Sequence, residues 1–234
     1  MIKSTIVAVA ILLIGGAGCG AMADAGASIA APISAPFDAQ AAAREIASVA
    51  AQRSVVWLGH PGGFYRTPEF HIPLPKTLDG PVDILRKNFA PLLPVAVEKA
   101  INQAAEEAVP VAGDYVLKTV PGMSFVQPGQ LLQGPDDAVT SAIKAQTAAG
   151  LREALRPFVR ANLAHADAPA ALDRMQARYE QLTNAAMPSF DIESYTLDSV
   201  IAGFFARMAE EEQYIRERPS ARSTDTLKRL FTKQ

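Results

Sequence analysis

The sequence predicts an all-α fold: a single compact multi-helix domain with one proline-rich extended strap, following a signal segment. Three observations predict it. Apolar residues recur at three- and four-residue steps through most of the chain, which places them on one face of a helix. Residues that cap or break helices punctuate those runs. The only long stretch free of helical periodicity carries four prolines in fifteen residues, from Pro61 to Pro75. The strongest periodic run is Asp191 to Arg218, where Leu197, Ile201, Phe204, Phe205, Met208 and Ile215 share a face. The remaining helices are expected to pack against it.

Taken in order, residues 1–23 read as a signal peptide: Lys3 is their only charge, and an unbroken apolar run spans Ile6 to Ile14. Residues 24–37, rich in Ala, Gly and Ser, read as a flexible leader. Residues 38–234 then form the single all-α domain. Asp38 is a good N-cap for a first helix ending at Leu58 before Gly59. In the strap, Phe70, Ile72 and Leu74 alternate, so one side can lie on the core, while Pro73 and Pro75 bar it from a central sheet position. A short helix is expected over about 80–89. The next, with Pro94 in its first turn, should end at Pro110 and be followed by a shorter one over 111–120. One helical turn is expected near 129–132. A helix begins after Asp136 and Asp137, whose charge suits free backbone N–H groups there, and Pro157 should kink or interrupt it. Helices over about 169–182 and 191–218 and a last short one bearing Leu227, Leu230 and Phe231 complete the chain.

Composition narrows the function classes. A hydrophobic fraction of 49% with 20% charged residues describes an ordinary globular protein, and 22 basic against 24 acidic residues, interleaved, offer no basic stripe for a phosphate backbone. Nucleic acid is not an expected partner. Export is expected, with two competing endings to the signal. Ala21-Met22-Ala23 has the small-x-small form that would leave Asp24 as the N-terminus. Gly16-Ala17-Gly18-Cys19 resembles a bacterial lipobox, in which Cys19 would be the lipid-attachment residue. The first gives a soluble periplasmic protein, the second an outer-membrane lipoprotein that meets the membrane only through its anchor. Cys19 is the only cysteine, so no internal disulfide can form.

Motifs for chemistry are sparse. His60, His71 and His165 are scattered without metal-ligand spacing, and neither a nucleophile elbow nor a phosphate loop occurs after the signal. No metal and no cofactor is expected. The polar constellation is Glu210-Glu211-Glu212 with Arg216 and Arg222. Glu211 and Glu212 flank the apolar stripe of the long helix, so their charges need partners. Arg222, Arg66 or the stripe Arg152–Arg156–Arg160 would supply them. These side chains are expected to form either a structural ion-pair network or an acid–base pair in a cleft.

Three runs together carry a resemblance: Gly63-Phe64 … Pro68 … Ile72-Pro73-Leu74-Pro75; Leu131-Leu132-Gln133-Gly134-Pro135-Asp136-Asp137-Ala138 … Thr140; and Met208-Ala209-Glu210-Glu211-Glu212 … Ile215-Arg216 … Pro219-Ser220-Ala221-Arg222. They resemble the bacterial domain-of-unknown-function family number 4197, exported or lipid-anchored proteins of Gram-negative bacteria, over about residues 38–232. Pro135 stands where members often carry a second glycine, and Ala142-Ile143 where they often carry an aromatic residue. The resemblance implies a helical envelope domain and a cluster of Asp136, Asp137, Glu211, Glu212 and Arg222. The expected function is a non-enzymatic binding or scaffolding module in the periplasm, its groove between the long helix and the strap, its partner an envelope protein, peptide or lipid. The alternative is a hydrolytic enzyme acting on an envelope component through Glu211 or Glu212 with an arginine.

Overall fold

Capping and patterning set the first helix. In the computed structural model, which describes residues 38–231, α1 spans Ala39–Leu58. Asp38 accepts the amide of Ala41, and Gly59 closes the far end. Its buried face is largely alanine, so neighbouring helices can approach closely. The expected signal segment and leader, with Cys19, lie outside the described residues.

After the strap come α2 (Asp79–Lys87), α3 (Leu92–Thr119), α4 (Pro128–Gln133), α5 (Ala138–His165), α6 (Ala168–Thr183), α7 (Ile192–Glu217) and α8 (Asp225–Phe231). No strand occurs among the described residues. The long helices α1, α3, α5 and α7 form a ring in which each packs on the next, and α3 also meets α7 across the centre. Around it, α6 covers α3 and α5, α2 sits on α6 and α3, α4 on α1 and α5, and α8 on α1. Leu197, Phe204, Met208 and Ile215 of α7 are fully buried, as the periodicity of that helix requires. Burying each such side chain contributes about 1.5–3 kcal/mol.

One boundary differs from the sequence expectation. Helix α3 runs through Pro110 without the expected break, and α5, where a kink or an interruption is expected at Pro157, is not interrupted there, so each spans 28 residues and exceeds α7 at 26. Both prolines are exposed. On an outer face, the carbonyl that proline leaves unbonded can turn to water, which lowers the cost of continuing the helix. Thus α3 shares the centre of the fold with α7.

A ladder of polar side chains on α3 holds the strap. Glu98, Asn102 and Glu106 lie one turn apart on one face. Glu106, largely buried, accepts the backbone amides of Gly62 (2.9 Å), Phe64 (3.1 Å) and Tyr65 (3.0 Å). Gly62, at φ +95°, supplies the turn that aims those amides inward. Asn102 pairs with Ile72 as a strand neighbour would, accepting its amide at 2.9 Å and donating to its carbonyl at 2.8 Å. His71 sits between the Tyr65 carbonyl (3.0 Å) and the Glu98 carboxylate (2.9 Å). From the other side, α7 contributes the Tyr195 hydroxyl, donated to the Pro73 carbonyl at 2.6 Å. Phe64 is fully buried over Gly203 of α7, where a Cβ would meet its Cε1 at 2.7 Å. Burial pushes the Tyr195 phenol upward, with the nearby Glu98 charge adding to it.

Removing the ladder's central acid should therefore release the strap. Glu106→Ala leaves three amides without an acceptor and should cost about 3 kcal/mol or more in urea unfolding. Amide exchange at Gly62, Phe64 and Tyr65 should accelerate before the rest of the chain does.

Candidate functional site

The paired carboxylates of the sequence separate into two constructions on α7. Glu212 is fully buried and reaches the start of α5. Its Oε1 accepts the amide of Val139 at 3.0 Å, and its Oε2 accepts both the amide and the hydroxyl of Thr140 at 2.7 Å. One turn on, Arg216 donates to the same Oε1 at 2.6 Å and to the carbonyls of Leu131 (3.0 Å) and Leu132 (2.9 Å) near the end of α4. The pair thus places negative charge on the amide end of α5 and positive charge on the carbonyl end of α4. It clamps the intervening Gly134-Pro135-Asp136-Asp137 turn from both sides.

This arrangement corrects the capping expectation. Asp137 occupies the N-cap position, but its carboxylate accepts no helix amide. It takes the Ser141 hydroxyl at 3.1 Å instead, and Asp136 is exposed. The amides expected to rest on these aspartates are taken by Glu212, which lies 73 positions from Val139 in the chain.

Glu211 builds the second construction. Its Oε1 meets Nη2 of Arg207, and its Oε2 meets Nη1 of Arg53 at 3.4 Å. Arg53 also donates to the Ala221 carbonyl at 2.7 Å. Arg207, held further by Glu210 at 2.6 Å, lies over the Trp57 ring at 4.5 Å. Its Nε is buried without an acceptor, the only side-chain atom among the described residues in that position. The result is a groove of about 400 Å³ between α1 and α7, lined by Gln52, Arg53, Val56, Trp57, Glu211 and Tyr214. Val56 is 76% exposed, Trp57 42% and Tyr214 41%.

The expected arginine partners lie elsewhere. Arg222 donates to the carbonyls of Ile215 (3.3 Å) and Arg216 (2.9 Å) and covers the Phe231 ring at 4.3 Å, so it caps α7 and seats α8 without touching either glutamate. Arg66 is exposed in a separate cavity of about 260 Å³ beside Lys99, Gln103 and Glu106. The stripe on α5 is spent across α7: Arg152 on Asp198, Arg156 on Glu193 at 3.4 Å, and Arg160 on Glu193 at 2.7 Å. Of the candidate polar residues, Glu211, Glu212 and Arg222 line one stretch of α7 and its end. Asp136 and Asp137 adjoin Glu212 through the α5 start, and Arg66 stands apart. The cavity bordered by the strap lies on its α3 side, whereas its α7 side is filled by Phe64. Arg207, which lies over Trp57, and Arg53, which shares Glu211 with it, were absent from the sequence expectation. Their signal was an arginine at the edge of each apolar stripe.

These features define an all-α protein whose buried acids fasten helix ends, loops and one aromatic groove. The chain belongs to the family of proteins of unknown function DUF4197, whose model matches residues 35–232. No curated protein and no solved structure matches it.

Two consequences are measurable. Glu212→Ala leaves Arg216 buried beside two uncapped amides and should cost about 3–5 kcal/mol, whereas Asp137→Ala should cost less than about 0.5 kcal/mol in the same unfolding assay. Hydrogen bonding from Arg160 holds the Glu193 carboxyl below its ordinary range, as Ser194 does for Asp191. A lowered carboxyl contributes stability that is whole above its unfolded value and fades as pH falls through its folded one. The melting temperature should thus fall on acidification below about 4, and Arg160→Gln should flatten part of that slope.

Proposed function

We propose that this chain is a non-catalytic binding module of the bacterial envelope that engages a peptide or protein segment through the α1–α7 groove. The observation that carries this reading is the rigid presentation of Trp57. Arg207 supports its face, Glu210 and Glu211 fix Arg207, and Val56 and Tyr214 extend the apolar surface beside it. Tryptophan, tyrosine and arginine in one partly dry groove are the side chains that carry most binding energy at protein interfaces. Pre-ordering them lowers the entropy lost on association.

The hydrolytic alternative requires a carboxylate with a free lone pair facing a cavity. Glu212 is enclosed and takes donors on both oxygens, and each oxygen of Glu211 faces an arginine. That geometry supports the binding reading. The envelope location follows from the signal-like first 23 residues and the family resemblance. It has its own test in the intact mass of the mature protein: a free Asp24 supports the periplasmic form, an acylated Cys19 the lipoprotein.

For the groove, a photo-crosslinking residue at the exposed Gln52 should give a discrete adduct in living cells. Trp57→Ala should abolish that adduct while changing folding stability by about 1 kcal/mol or less, because the ring is half exposed. A hydrolytic activity lost in a folded Glu211→Gln protein, with no adduct at position 52, would replace this reading by the enzymatic one.

A further inference from the structure

We propose that the corner joining α2 to α3 is a wedge that inserts into an anionic lipid surface. The corner is Asn88-Phe89-Ala90-Pro91, and its backbone ends α2 in a left-handed cap. Asn88 donates to Ile84 and Leu85, Ala90 donates back to Leu85 at 2.9 Å, and Phe89 between them has φ +60°. Glycine or asparagine ordinarily takes that position, because a side chain there crowds the backbone. A bulky residue at positive φ is an outlier whose cost the surrounding structure must absorb.

Phe89 gives nothing back inside the fold. It is 98% exposed, the most exposed large apolar side chain among the described residues. Leu92 at 76% and Val95 at 40% continue the apolar edge along the first turn of α3. The two penalties, strain and wetted aromatic surface, fall on one residue, so the interaction that repays them lies outside the described residues. The shape indicates its kind. This is an exposed apolar tip on a short turn between two helices, stiffened by Pro91 and the buried Pro94.

Charge completes the assignment. Arg86 and Lys87 occupy the last turn of α2, and Lys99 lies seven residues beyond Leu92 on the same face of α3, about 10 Å along the axis. All three are exposed, and none forms an ion pair within the described residues. Of the nearby acids, Glu98 is held by His71, and Asp83 lies exposed one turn back on α2. An apolar tip with two cations on the last turn of α2 and a third farther along α3 matches a lipid surface, where side chains pass about 5–10 Å into the acyl boundary and phosphates lie just outside. This inference uses a different surface from the α1–α7 groove and stands without it.

The test reads the corner itself, so an N-terminal anchor does not confound it. The mature protein carrying an environment-sensitive NBD dye at Phe89→Cys is mixed with vesicles of equal parts phosphatidylglycerol and phosphatidylethanolamine. The dye should shift to the blue and be quenched by lipid-borne nitroxides, and a dye at the exposed Asp173→Cys should not. Neutralising Arg86 or Lys87 should weaken the response about fivefold each, and high salt or pure phosphatidylcholine should remove it. Phe89→Gly is the decisive variant. It suits the left-handed backbone, so the protein should melt at the same or a higher temperature, while a dye at Val95→Cys loses its lipid response. A dye at position 89 that remains water-like on anionic vesicles, or shifts only when a second protein is added, overturns the proposal. So does a Phe89→Gly protein that retains the full response.

Discussion

The buried pair of Glu212 and Arg216 is the interaction on which the arrangement of helices depends. Two ions on successive turns of α7 take opposite ends of two other helices, the amides that begin α5 and the carbonyls that end α4. A buried pair of this kind adds little net stability over apolar residues of equal volume, since desolvation offsets most of the attraction. What it supplies is geometry. The start of α5 can dock at one height on α7 only, because any slip leaves a charge and several backbone groups unpaired. Far along the same interface Glu193 and Asp198 receive Arg160, Arg156 and Arg152. Helices α5 and α7 are therefore pinned antiparallel at both ends, with an apolar seam between that includes Leu151, Leu155 and Phe204.

The same economy governs the strap. A segment with four prolines cannot satisfy its amides by forming a helix or joining a sheet, yet Phe64, Phe70 and Ile72 draw it onto the core. Helix α3 resolves the conflict by offering side chains in place of a neighbouring strand, with Asn102 and Glu106 taking the backbone groups that burial would otherwise strand. Glu106, Glu211 and Glu212, the three buried acids among the described residues, are all committed in this way to holding other parts of the chain. Surface capable of meeting another molecule is left to aromatic and cationic side chains: Trp57 and Tyr214 in one place, Phe89 with Arg86 and Lys87 in another.

Local signals in the sequence located most of this fold. Asp38 and Gly59 bracket α1, Asp191 opens α7, and the apolar stripe of α7 is buried along its length, because each depends on residues within a few turns. The errors arose where distant residues decide. Pro110 and Pro157 carry a penalty only if the unbonded carbonyl is hidden, and the facing of each proline is settled by what packs behind the helix. Asp137 is a good cap by type, but Glu212, 73 positions from Val139, takes that residue's amide instead. Arg53 and Arg207 gain their role only where α1 and α7 lie side by side, which no local signal reveals. The Glu98–Asn102–Glu106 stripe was visible as spacing, though its use could not be read without knowing that the strap lies over it.

Because α3 grips the strap by its main chain, the side chains the strap turns outward are free of structural duty. Arg66 and Glu69 are exposed on a scaffold held through the main chain, while Tyr65 packs its ring on His71. Those two exposed positions can be exchanged without disturbing the main-chain grip, so a designer's library could rewrite that small part of the exterior at little risk to folding.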